Sequence, residues 1–198
     1  MESVRAFVAI ELPGSVKFAL SQLQGNLKRS EHTSVKWVDT GNIHLTLKFL
    51  GNIATETIPE LTKVLSEAAR GITPFHLELG EMGVFPNLRA PRVVWVGLRG
   101  ETATLSVLQE NIESALIPLG FPPENRAFSP HLTLGRVREK ASPGERRSLG
   151  QAVASSKVAS MEPFPVDSLS LMRSTLTREG AVYSRLYSVA LREVEQEQ

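Results

Sequence analysis

Two tetrads of identical composition, His44-Leu45-Thr46-Leu47 and His131-Leu132-Thr133-Leu134, stand 87 residues apart in this chain. Other landmarks keep nearly the same spacing: Phe7 and Trp95 are 88 residues apart, and Phe75 and Phe164 are 89. A near-constant offset predicts a duplicated fold. The period is too long for a solenoid and occurs only twice.

Each half reads as strand, helix, strand, helix, strand. Residues 4–12 form a strand-like run that Pro13 and Gly14 close, and Ser15 is placed to cap a helix. In that helix Val16, Ala19, Leu20, Leu23 and Leu27 recur at helical spacing. Residues 43–50 alternate, with Ile43, Leu45, Leu47 and Phe49 on one face, and Gly51-Asn52 ends the strand. Ile58, Leu61, Val64, Leu65 and Ala68 predict a second helix with Gly71 beyond its end. A third strand covers at least residues 75–79. The second half gives a strand at 92–98, an amphipathic helix at 103–116, a strand within 128–137, a helix at 144–154 and a strand at 166–172.

The expected fold class is α+β, bilobal, with two pseudo-symmetric lobes of mostly antiparallel sheet and outer helices around a central cleft. The repeat spans approximately 4–85 and 92–175, with a C-terminal strand at 183–191. No Ser/Gly/Pro-rich linker divides the halves, so residues 1–198 are expected to form a single domain.

Alternation along a strand puts His44 and Thr46 on one face and Leu45 and Leu47 on the other. The second tetrad behaves alike. The leucines then enter each lobe's core, and His and Thr face a shared cleft. An imidazole gives or takes a proton near neutral pH. Two of them, on opposite sides of a phosphorus atom, can serve as acid and base in an in-line displacement. The Thr46 and Thr133 hydroxyls can donate to non-bridging phosphate oxygens. A cyclic phosphodiester suits this arrangement because its leaving oxygen stays tethered. His32 and His76 lack such partners and are read as non-catalytic.

Other chemistries find less support. Two histidines without a carboxylate are too few for the usual zinc site. The chain has no His-Glu-x-x-His, P-loop or Gly-x-Ser-x-Gly. It contains no cysteine, which excludes disulfides and thiolate metal sites. No metal and no cofactor is therefore expected. A balance of 22 Lys and Arg against 21 Asp and Glu is not the footprint of a protein that coats duplex nucleic acid. It fits a small anion held by a local basic cluster. The chain has no signal-peptide pattern at its start and no apolar run long enough to span a membrane. A cytoplasmic monomer without membrane contact is expected.

The tetrads resemble the signature of the two-histidine phosphoesterase superfamily. Within it the chain is similar to the RNA 2′,3′-cyclic phosphodiesterases of bacteria and archaea, historically called 2′-5′ RNA ligases. Segments 5–13, 42–51, 126–136, 171–176 and 180–183, together with Trp37, carry this narrower resemblance. It implies hydrolysis of an RNA 2′,3′-cyclic phosphate end to a 2′-phosphate, and in some relatives 2′-5′ joining. It also implies His131 as base, His44 as acid, Arg136 near the phosphate, and Phe7 at the cleft in contact with a base. A place in the core of the first strand is an equal expectation for Phe7. Strict alternation puts Arg136 on the leucine face, and a bend at Gly135 would return it. Arg126 is the weaker phosphate candidate. Lys48 shares strand parity with His44 but stays outside the expected site. Two other functions keep the same motifs: phosphodiesterase action on another cyclic nucleotide or a 2′-5′ oligonucleotide, and non-catalytic RNA or nucleotide binding.

Overall fold

The computed structural model describes residues 2–29, 34–178 and 180–192. His32 lies outside the described residues. The first part of the chain forms β1 (Ser3–Glu11), α1 (Gly14–Lys28), β2 (Val35–Trp37), β3 (His44–Ala54), α2 (Ile58–Ala68) and β4 (Phe75–Phe85). The second forms β5 (Val93–Gly100), α3 (Thr102–Leu116), β6 (His131–Val137), α4 (Pro143–Ser155), β7 (Phe164–Val166), β8 (Ser168–Leu176) and β9 (Ala181–Ala190).

Two antiparallel sheets result, in the orders β3-β1-β8-β9 and β2-β6-β5-β4-β7. The α+β fold class is as expected, but the sheets do not follow the halves of the sequence. The central strands β1 and β5 each take one neighbour from their own half, β3 and β6. Their other neighbours, β8 and β4, come from the opposite half. Each lobe is thus completed by two strands of the other half, β8 and β9 in one and β2 and β4 in the other.

Alternation in β1 sends Val4, Ala6, Val8 and Ile10 into one continuous core. Helix α1 adds Val16, Leu20, Leu23 and Leu27 at helical spacing. Full burial of each such side chain contributes roughly 1.5–3 kcal/mol of transfer free energy. Phe7 and Ala9 face the other way and form a small cluster with Met172 and Tyr183.

Some local expectations need correction. Helix α1 begins at Gly14 after Pro13, and no side chain caps its start, so Ser15 is already inside the first turn. Strand β3 does not stop at Gly51-Asn52. Gly51 takes a φ of 71°, a value open to glycine at little cost, and pairing with β1 continues to Ala54. The landmark offsets also mislead in part. Ala9 pairs with Thr46 and Trp95 with Thr133, so Trp95 matches Ala9, two residues from Phe7. Phe75 and Phe164 lie in the neighbouring strands β4 and β7 rather than in matching ones. Phenylalanine is common on buried strands, and a slip of two preserves the face, so sequence spacing alone could not detect it.

Candidate active site

His44 and His131 open β3 and β6, and these two strands lie against one another with Cα atoms within 8 Å. Their local settings match. His44 Nδ1–H donates to the carbonyl oxygen of Asn42 at 2.9 Å. His131 Nδ1–H donates to the carbonyl oxygen of Ser129 at 2.7 Å. A carbonyl oxygen can only accept, so the proton of each neutral ring sits on Nδ1 and Nε2 keeps its lone pair. Both rings are held by the residue two positions earlier, just before the strand begins. Each is thereby oriented with Nε2 available for proton transfer.

The rings differ in what surrounds them. His44 stacks on Phe7 at 4.6 Å between centroids and meets the edge of Tyr183 at 5.0 Å. Burial pushes the His44 imidazole below its ordinary range. The Asn42 carbonyl and Glu11 oppose that shift, and Lys17 adds to it. His131 meets the edge of Phe85 at 5.1 Å and has Trp95 at 6.4 Å. Phe7 itself is 3% exposed, with one neighbour His44 and another Tyr183, so its ring backs the histidine.

Thr46 and Thr133 are half-buried, two residues along from their histidines, and neither hydroxyl bonds to another described residue. Beyond them both strands bulge at the same place. On β3 the pairing with β1 skips Leu47, and on β6 the pairing with β5 skips Leu134. A bulge inserts one unpaired residue and reverses the alternation that follows. Arg136 therefore emerges on the face of His131 and Thr133, opposite Val93. The return to the cleft face expected at Gly135 occurs, and the extra residue is Leu134. Phe49 holds the equivalent place on β3, opposite Phe7, and is 60% exposed rather than turned inward. Lys48 moves to the core side, where Nζ donates to Glu113 Oε2 at 2.7 Å and the Pro122 carbonyl at 2.6 Å. It lies outside the site, as expected, although its parity is not that of His44.

Each bulge is braced from a helix of the opposite half. Gln24 of α1, 2% exposed, donates through Nε2 to the carbonyls of Val38 and Leu134. Glu113 of α3 receives Lys48 and the Gln109 side-chain amide. These two supports were missed in the sequence. Their signal was a polar residue inside an apolar helical stripe, since Gln24 follows Leu20 and Leu23, and Glu113 follows Gln109 and Ile112. His76 is exposed on β4 beside Glu101. Among the described residues no three His, Asp or Glu side chains converge as metal ligands, and no helix is long and apolar enough to cross a membrane.

A duplicated α+β fold that offers one strand-borne histidine from each sheet defines a two-histidine phosphoesterase. The family described as LigT-like phosphoesterase matches the chain twice, over residues 10–95 and 96–183. An RNA 2′,3′-cyclic phosphodiesterase of Methanothermobacter thermautotrophicus is 35% identical over 181 residues, covering 91% of this chain and 95% of its own. The enzyme of the same name from Aeropyrum pernix is 36% identical over 160 residues, covering 80% and 88%. Escherichia coli LigT complexed with 3′-AMP superposes with a TM-score of 0.73 at 27% identity, covering 97% of this chain and 100% of its own. TT0787 of Thermus thermophilus gives 0.77 at 29%, covering 96% and 100%. This chain belongs to the LigT-like phosphoesterases.

Proposed function

We propose that this protein hydrolyses the 2′,3′-cyclic phosphate at the end of an RNA strand to a 2′-phosphate, with His44 and His131 as its acid–base pair. The observation that carries this proposal is the matched tethering of both rings through Nδ1, which leaves two Nε2 atoms for proton transfer. The names of its relatives support the substrate. In the proposed step His131 takes a proton from water as the water oxygen attacks phosphorus. The bond from phosphorus to O3′ breaks, and His44 supplies the proton that O3′ gains. Thr46 and Thr133 donate to the non-bridging oxygens, and Arg136 grips them with its planar fork. Phe7 holds the His44 ring from behind. A ribose 5′-hydroxyl in place of water would give a 2′-5′ linkage through the same displacement.

The direct test is turnover of an RNA oligonucleotide ending in 2′,3′-cyclic phosphate, beside cyclic mononucleotides, after exhaustive EDTA treatment. Release of a 2′-phosphate without added metal is the expected result. Binding of the oligonucleotide without turnover would point instead to a non-catalytic nucleotide-binding protein. Loss with EDTA and recovery with Zn²⁺ or Mn²⁺ would overturn the acid–base mechanism.

Arg136 gives a second test. Arg136→Ala should lower kcat/KM, and Arg136→Lys should recover part of the loss, because lysine keeps the charge without the fork. Its side chain is exposed and makes no hydrogen bond to a described residue, so neither change should alter the melting temperature appreciably. Wild-type kinetics for Arg136→Ala would remove it from the phosphate.

A further inference from the structure

Lys36 of β2 stands directly opposite Arg136 of β6. Directly opposed residues of an antiparallel pair share a face, with Cβ atoms about 4.5–5.5 Å apart. That face is the one bearing His131 and Thr133, because Val93 and Trp95, the partners of Arg136 and Thr133, lie on one side of β5. The neighbours of Lys36 turn the other way: Val35 is buried in the core and Trp37 packs against it. Both Lys36 and Arg136 are exposed, and neither takes part in the ion pairs formed among the described residues.

Like charges placed directly opposite destabilise a sheet. A bound anion between or beside them removes the conflict. Among the described residues the histidine strand β3 has no such opposed pair beside it. Phe49 occupies the place of Arg136, and β3 is the edge of its sheet, so no strand outside it can supply a counterpart of Lys36. The opposed cations Lys36 and Arg136 thus lie on the β6 side and extend outward from His131 past the place proposed for the reacting phosphate. With Arg136 on the terminal phosphate, Lys36 is placed to meet a second phosphate beyond it.

We propose that Lys36 binds a backbone phosphate of the RNA strand next to the terminal cyclic phosphate, so that the protein favours RNA ends over cyclic mononucleotides. This inference rests on the function proposed above and adds to it a contact that a mononucleotide cannot make.

The experiment compares wild type, Lys36→Ala, Lys36→Arg and Lys36→Glu on two substrates: a short RNA oligonucleotide ending in 2′,3′-cyclic phosphate, and uridine 2′,3′-cyclic phosphate. Lys36→Ala should raise KM for the oligonucleotide about fivefold near 0.1 M salt and weaken its logarithmic salt dependence by about 0.7, the loss of one single-strand phosphate contact. Lys36→Arg should restore it, and Lys36→Glu should raise KM further. The kcat/KM for the mononucleotide should stay at the wild-type value for Lys36→Ala. An equal loss on both substrates, or no loss on the oligonucleotide, overturns the inference while leaving the proposed function standing. If wild type turns over neither substrate, the proposed function fails and the inference falls with it.

Discussion

Alanine in place of either His44 or His131 should cut turnover of a cyclic-phosphate-ended RNA by roughly 10²–10⁴-fold, the usual contribution of a positioned acid or base. The double variant should be little worse than the worse single one, because proton removal and proton delivery belong to one displacement. The structural cost differs between the sites. His44 fills space against Phe7 and Tyr183, so His44→Ala removes a ring that both of them pack on. His131 meets its aromatic neighbours less closely, by edge contact with Phe85 and at 6.4 Å from Trp95. Thermal melts should therefore show a larger fall for His44→Ala, with both proteins still folded at assay temperature. Near-normal turnover in a folded single variant would remove that histidine from the mechanism.

Much of this arrangement was legible in the sequence because strand alternation is a strong constraint. His-Leu-Thr-Leu can only put its leucines on one face and His and Thr on the other, and the buried Leu45, Leu47, Leu132 and Leu134 follow that rule. The rule fails at the ends of the tetrads, where the unpaired Leu47 and Leu134 reverse it. Nothing in Leu47 or Leu134 announces a bulge, since its cause lies in distant groups. The Leu134 carbonyl is held by Gln24, 110 residues away in sequence, and Lys48 is drawn inward by Glu113, 65 residues away. The exposure of Phe49 and the burial of Lys48 are consequences that no local pattern contained. The exchange of β4 and β8 between sheets is illegible for a similar reason. Alternation specifies that a strand has an inner face but not which sheet will receive it.

The pH dependence of the two single-histidine variants should separate the acid from the base. In wild type, kcat/KM is expected to be bell-shaped, with macroscopic pKa values that belong to the pair. That curve cannot assign the roles, because either assignment requires one proton shared between the two rings. The His131→Ala protein retains His44 alone. Burial pushes His44 below its ordinary range, about 6.5 for a free imidazole, so its charged form is lost as pH rises through this depressed value. If His44 is the acid, as proposed, the residual kcat/KM should be highest at low pH and fall about tenfold per pH unit above that pKa. In the complex the anionic phosphate favours the charged ring, so kcat should hold to higher pH than kcat/KM. If residual activity instead rises with pH and levels off, His44 is the base, the role that its burial by itself favours. His131 would then deliver the proton to O3′.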